Sequence, residues 1–436
     1  MLSSITPNFS VDFKNMSEGE IMIAIGQDSG DFLQTSSLAD FNTNLFGTKS
    51  RRIIKFIIDE VKSNKLKFSV VNKKENISVL IANLYRIIYL GLKHYCHAPM
   101  SPGYFKDIGK LTNRKIGYNG WSETVRIFKQ LGYIQTVKGY EGWFSRIKYT
   151  DKFHYDFIEK FKLDPQDILK TRPSITKKNS KGVEVEVKNS RRTYQVIRRV
   201  ENYNKLLLST DIVPGKMDAT TGAKTPFANR TYTRRFVKSN LKLGGRFYGP
   251  YWQNLPKRYR KLIKINGKEV VELDYNAMHL HLLYSKINKS LYDYYSFAEE
   301  PYTALEYDRK IVKFAFTACI NENCTRKNVN QVLGQRVSKA LPDLFERGLP
   351  YGKIIDALAD NHPQIGSMFY SEIGHEIAYM ESRVTDYVVT VLTKHKIPTL
   401  SIHDSFLVSK PKVSFLRIIM QEAFTKLKYK SIPFIK

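Results

Sequence analysis

The sequence predicts an α+β chain of several domains, on three observations. Apolar residues recur at helical spacing from Arg51 onward. Short alternating runs bounded by glycine read as hairpins. Two apolar strand runs far apart, one ending at Asp274 and one enclosing Asp404, belong to a sheet. The 436 residues carry 70 Lys+Arg against 41 Asp+Glu, a formal net charge of +29, and 42% are hydrophobic. That length and apolar content suit two or three domains with real cores. Three cysteines cannot make a disulfide framework, so a reducing, cytoplasmic setting is expected, nucleoid-associated in a bacterium. Lys, Arg or Asn breaks every apolar run short of the roughly 18 residues of a membrane span, and no membrane partner is expected. A chain this basic favours a polyanionic partner, nucleic acid first.

The elements follow in order. Residues 1–50 read as a loose polar arm with a short helix or two. Ile53, Ile54, Phe56, Ile57 and Val61 mark a first helix, and Ile77 to Tyr95 a second. Pro102 opens a short helix, a loop with Gly117 and Gly120 follows, and Trp121, Val125, Phe128 and Leu131 line a third helix that Gly132 ends. Tyr133–Val137 and Trp143–Thr150 then read as a two-stranded ribbon. Helices followed by a hairpin resemble the winged helix-turn-helix family. By that resemblance residues 51–160 are a DNA-binding domain, with Arg114, Lys115, Arg126, Lys129 and Lys138 facing a duplex. Residues 161–230 are polar, basic and turn-rich, a linker whose helix Ser190 to Leu208 is a thumb-like element. Residues 231–436 form the last domain.

That domain opens on its most lopsided window. The 38 residues from Thr231 to Lys268 hold eleven Lys or Arg and no Asp or Glu. Arg234, Arg235, Arg246, Lys257, Arg258 and Arg260 alternate there with Tyr232, Phe236, Phe247, Tyr248, Tyr251, Trp252 and Tyr259. Cations that track phosphates and rings that stack on bases together suit a nucleic-acid channel. Asp274 then stands at the end of the strand Val270–Leu273, and Ile397–Val408 reads as a hairpin with Asp404 at its turn. Two carboxylates at strand ends, contributed by sequence-distant strands of one sheet, can share two Mg²⁺ ions, with Mn²⁺ as a substitute, in an in-line phosphoryl transfer. Arg309 and Lys313 lie one helical turn apart, where two cations can grip a triphosphate. The helix from Tyr370 to Leu392 reads as packing, with Glu372, Glu376 and Glu381 facing solvent.

Asp-Tyr after a strand, Arg-x-x-x-Lys on a helix and His-Asp at a hairpin together resemble the ordered motifs of family A nucleic-acid polymerases. The resemblance covers roughly Gly244 to Lys436. It implies a reduced right-hand polymerase: a palm sheet bearing the metal-binding Asp274 and Asp404, and small helical fingers bearing the nucleotide-phosphate cations Arg309 and Lys313. His403 would lie near the primer 3′ end, and Lys313 could protonate the departing pyrophosphate. Tyr275, His279, Thr317 and Asn321 fall at further nucleotide-binding positions. Three of these depart from the family pattern, with Thr317 for an aromatic or Met, Asn321 for a Tyr and His279 for a sugar-sensing Glu. Ile402-His403-Asp404-Ser405-Phe406 is closer to the RNA-polymerase form of its motif. The implied function is Mg²⁺-dependent, template-directed DNA synthesis in the replication of a phage or mobile element. Its partners would be a DNA template and primer, as duplex or single strand, nucleoside triphosphates and a replication accessory protein. Primase-like RNA synthesis, untemplated terminal transfer and a non-catalytic replication initiator are the rival readings.

Overall fold

The computed structural model describes residues 37–89, 95–105, 116–137, 145–188, 190–217, 227–296, 299–321, 325–340 and 349–436. The described residues mix helix and sheet and divide into two units, one up to Pro173 with Met217–Thr231, the other Ser174–Lys216 with Tyr232–Lys436. The segment 161–230 is therefore shared between the units, because its strands and its helix each find an apolar surface to cover. No described helix is long and apolar enough to cross a membrane.

In the first unit the chain runs β1 (Ser37–Leu38), β2 (Thr43–Leu45), α1 (Gly47–Ser63), α2 (Lys73–Tyr89), β3 (Tyr95–His97), α3 (Tyr118–Gln130), β4 (Ile134–Val137), β5 (Arg146–Tyr149) and β6 (Ile168–Lys170). Four strands form a sheet in the order β1-β3-β5-β4, and β2 pairs separately with β6. Residues 37–50 are thus built into strands and the start of α1, not a loose arm; residues 1–36 lie outside the described residues. The helix expected to reach Tyr95 is described from Lys73 to Tyr89, and Tyr95 itself opens β3. Ile53, Ile57 and Val61 recur every four residues and turn the inner face of α1 onto a core with Trp121, Phe128, Phe153 and Phe157. Gly132, at φ +77, ends α3 and turns the chain into β4. Arg126 and Lys129 are exposed on α3, whereas Arg114, Lys115 and Lys138 lie outside the described residues.

The second unit contains β7 (Ile175–Lys178), β8 (Glu184–Val185), α4 (Arg191–Leu208), β9 (Ile212–Val213), β10 (Thr233–Val237), β11 (Asn240–Tyr248), β12 (Lys264–Ile265) and β13 (Lys268–Asp274). It continues with α5 (Met278–Lys286), α6 (Arg309–Asn321), α7 (Gly374–Lys394), β14 (Thr399–Ile402), β15 (Ser405–Ser409) and α8 (Val413–Lys426). One sheet has the order β11-β10-β7-β8 and the other β14-β15-β13-β12-β9. Ser190 caps α4, its hydroxyl accepting from the Thr193 amide. In the five-stranded sheet β13 and β15 are antiparallel, from Val270 opposite Ser409 to Asp274 opposite Ser405. The end of β13 is stitched on its other side too. The Asp274 amide donates to the Lys436 carbonyl (3.1 Å), the Lys436 amide donates back (2.9 Å), and the Asn276 amide donates to Phe434 (2.8 Å).

Candidate active site

Alternation along a strand decides which side chains of β13 can do chemistry. Leu273 and Tyr275 point into the core, while Glu272 and Asp274 point the other way. Tyr275 is 2% exposed, packs on Phe406 and Phe424, and donates its hydroxyl to the Met420 carbonyl at 2.7 Å. It is a core residue and not the nucleotide contact expected of it. Ile402 pairs with Ser405, so His403 and Asp404 alone make the tip of the β14–β15 hairpin. His403 takes φ +56 to turn so tight a corner, which suits the twist of the flanking strands. Because Asp274 sits opposite Ser405, the hairpin tip brings Asp404 beside it across one strand spacing.

The two aspartates differ from the carboxylates around them. Glu272 accepts from Arg260 Nη2 at 2.8 Å and from the Ser405 hydroxyl at 3.0 Å. Glu300 accepts from Arg309 Nε at 2.7 Å. Among the described residues neither Asp274 nor Asp404 belongs to an ion pair. Burial and the charge of Asp404 push the Asp274 carboxyl well above the usual range, against the pull of Lys313 and Lys257. Burial and the charge of Glu381 also raise the Asp404 carboxyl, against His279 and Lys313. Two carboxylates forced together without a counter-ion are short of positive charge.

A cleft of about 330 Å³ opens at Asp404, with His403, Lys313, Thr317, His279 and Arg246 also among its walls, while Asp274 stands on the neighbouring strand. Lys313 and Arg309 do lie on one face of α6, but their surroundings differ. Arg309 is held by Glu300 and reaches the Asn276 side-chain oxygen at 3.4 Å. Lys313 faces the cleft and acts on both aspartates. Beneath both cations lies the ring of Tyr302, 1% exposed, with Arg309 5.4 Å and Lys313 6.0 Å from its centre. Asn321 does not reach the cleft: its amide donates to the Thr317 carbonyl one turn back in its own helix, at 2.6 Å. His403 is half-buried, its ring edge-on to Tyr248 at 5.5 Å, and its Nδ1 is buried without a partner among the described residues. Burial, with Arg246 nearby, lowers its pKa despite Glu381.

Glu381 is the largest correction. Expected in solvent, its side chain is 2% exposed at the back of the cleft. Arg246 Nε donates to its Oε1 at 2.8 Å, and His279 Nε2 lies 2.9 Å from Oε2 and 3.0 Å from Arg246 Nη2. Burial opposes ionisation, yet Arg246 and His279 hold the Glu381 carboxyl down to about 2. Arg246 reaches this place through a bulge between β10 and β11, where Gly245 takes φ +79. A Cβ on Gly245 would fall 2.7 Å from the Phe236 ring.

The basic window also needs correction. Tyr232, Phe236, Phe247, Tyr251 and Trp252 are all buried, so these rings form core and cannot stack on bases. Tyr248 and Tyr259 stay half-exposed under Arg235 and Arg258, at 4.8 Å in each case. Of the cations, Arg235, Lys257 and Arg258 are exposed, while Arg260 is tied to Glu272. Arg234 is 2% exposed and paired with Asp386.

No protein-family model matches the sequence, and no curated protein does. Among solved structures, the chain is similar to the polymerase domain of Pol1 from M. smegmatis in complex with DNA primer-template and dNTP. The identity is 11% and the TM-score 0.28, over 90% of this chain and 66% of that one. A likeness of that size does not establish a shared fold.

Proposed function

We propose that the second unit is a nucleotidyltransferase that joins a nucleoside triphosphate to the 3′-hydroxyl of a nucleic-acid strand on a DNA template, DNA synthesis being favoured. The observation that carries this reading is the pair Asp274 and Asp404. They stand on neighbouring strands, Asp404 in the wall of a cleft that Lys313 also lines, and among the described residues neither belongs to an ion pair. Among the described residues no cluster of three or more His, Cys, Asp or Glu is placed to hold a metal. The donor set here is therefore two carboxylates with the remaining positions left to water and phosphate oxygens, which suits Mg²⁺ and not zinc. When bound, Mg²⁺ would supply the positive charge the pair lacks, lower the pKa of the attacking hydroxyl and stabilise the leaving oxygen.

The chain's own groups supply the rest. Lys313 neutralises triphosphate oxygens and can pass its proton to the departing pyrophosphate. Arg309 must exchange its Glu300 contact for phosphate, or remain a brace for α6. His403 lines the cleft beside Asp404, where its ring can contact the strand terminus. His279, fixed by Glu381 and Arg246, presents an imidazole where the family pattern has a sugar-sensing carboxylate, which supports testing ribonucleotides alongside deoxynucleotides. In the first unit, exposed Arg126 and Lys129 on the helix that precedes the antiparallel β4–β5 pair support duplex binding of the winged-helix kind.

Primer extension on a DNA template with Mg²⁺, with dNTPs and rNTPs in separate reactions, tests the reading. Extension by the wild type that disappears in Asp274→Ala and in Asp404→Ala is the expected result. No extension with any nucleotide, alongside site-specific duplex binding that survives Asp404→Ala, would replace it with the initiator reading.

A further inference from the structure

Away from the aspartates, the second unit holds another concavity, of about 210 Å³, between α4, β10, β11 and α7. Arginines enter it from three elements: Arg192 and Arg199 from α4, Arg234 from β10 and Arg383 from α7. The carboxylate among its walls is Asp386, and it is already engaged. Its oxygens accept from Arg199 Nε at 3.2 and 3.0 Å, and Arg234 Nη1 lies 3.1 Å from one of them. The other Arg234 donors go to the Gly245 carbonyl (2.9 Å) and the Ser382 hydroxyl (3.1 Å). Arg192 donates to the Tyr379 hydroxyl at 2.8 Å, and Arg383 lies over the Tyr429 ring at 6.0 Å. Those neutral partners orient the guanidiniums without cancelling their charge. Four arginines against one aspartate leave a formal surplus of three positive charges.

A clamp between α4 and α7 needs only one arginine on Asp386. Converging three more guanidiniums adds repulsion, most of all at the 2% exposed Arg234, unless an anion joins them. Forked guanidinium donors match a tetrahedral phosphate, and the cavity is large enough for that group but small for a whole nucleoside triphosphate. Val196, Phe236 and Leu241 give the opposite wall an apolar surface that suits the face of a sugar. Arg191 and Arg198 are exposed on α4 and extend the positive surface beyond the cavity.

From this geometry we infer that the arginine cleft seats a backbone phosphate of a nucleic-acid strand, at a site separate from the aspartate cleft. The anion chemistry stands by itself; only the strand as its source rests on the nucleic-acid reading. The test uses the full chain and the variants Arg192→Gln and Arg383→Gln, both on exposed side chains, with Lys412→Gln as a control of equal charge change. The affinity for a labelled oligonucleotide is measured against salt, and the melting temperature against inorganic phosphate at constant ionic strength. Each arginine variant is expected to flatten the slope of log K against log salt by about 0.7–0.9, the value of one lost phosphate contact, while the control leaves it unchanged. Phosphate should raise the melting temperature of the wild type and not of the variants, and the oligonucleotide should compete with it. Slopes that match the control overturn the proposal. A phosphate shift that the oligonucleotide does not displace overturns the strand as the source and leaves a free-anion site. Asp404→Asn, run in parallel, must lose extension and keep the wild-type slope, so failure of the catalytic reading is told apart from failure of this one.

Discussion

Asp274 and Asp404 repel each other across neighbouring strands in a half-buried site, and this has a consequence for stability. A carboxyl whose pKa is raised on folding costs stability at neutral pH and costs nothing once protonated. In metal-free buffer near pH 7, Asp274→Asn should therefore stabilise the protein by about 1–2 kcal/mol while abolishing extension. Thermal melts in EDTA would show it, and Mg²⁺ should raise the wild-type melting temperature but not that of the variant. Glu381 has the opposite sign. Its carboxyl is held at about 2, below the value near 4.5 it has when unfolded, so its contribution is full above pH 4.5 and fades as pH falls toward 2. Glu381→Gln should cost about 3 kcal/mol at pH 7, because it leaves Arg246 without its counter-charge, and should remove that acid limb from urea melts taken between pH 2 and 5. The position of Glu381 was legible in outline. It falls four residues after Ile377 and three before Val384, inside the apolar stripe of α7, where a solvent-facing glutamate has no reason to be. What the sequence could not display is its partner, since Arg246 is far away in the chain and arrives through a bulge.

Elements with one strong period were readable: α4, α6, β13 and the β14–β15 hairpin lie where the apolar spacing puts them. Failures came where a pattern fits two environments. The rings of the basic window repeat as core residues do and as a stacking platform does, and packing of Tyr232 on Tyr203 at 5.0 Å settled it for the core. Asn321 shares the helical face of Lys313 by spacing, yet a short amide at a helix end finds its own backbone first. The pairing of β13 with the segment Phe434–Lys436 had no signal at all, because three residues are too few to show a period. That pairing holds the backbone of Asp274 and Asn276. Removing residues 434–436 should slow extension by about 10- to 100-fold, the order expected when a catalytic group is misplaced by about 1 Å, and leave the far-ultraviolet circular dichroism near the wild-type spectrum. Unchanged rates would show that β15 positions Asp274 unaided.

For the molecule as a whole, a formal charge of +29 makes affinity for nucleic acid a poor witness to function. Counterion release alone should weaken oligonucleotide binding at least about 100-fold between 50 and 200 mM salt, and catalytically dead variants should show the same dependence. The central claim is that Asp274 and Asp404 together hold the divalent ions of a nucleotidyl transfer. Titration of Mn²⁺, followed by electron paramagnetic resonance, tests this most directly in the wild type, Asp274→Asn and Asp404→Asn with a primed template and nucleotide present. Saturable Mn²⁺ binding in the wild type that is lost in either variant is the predicted result, and equal binding in all three proteins would contradict it.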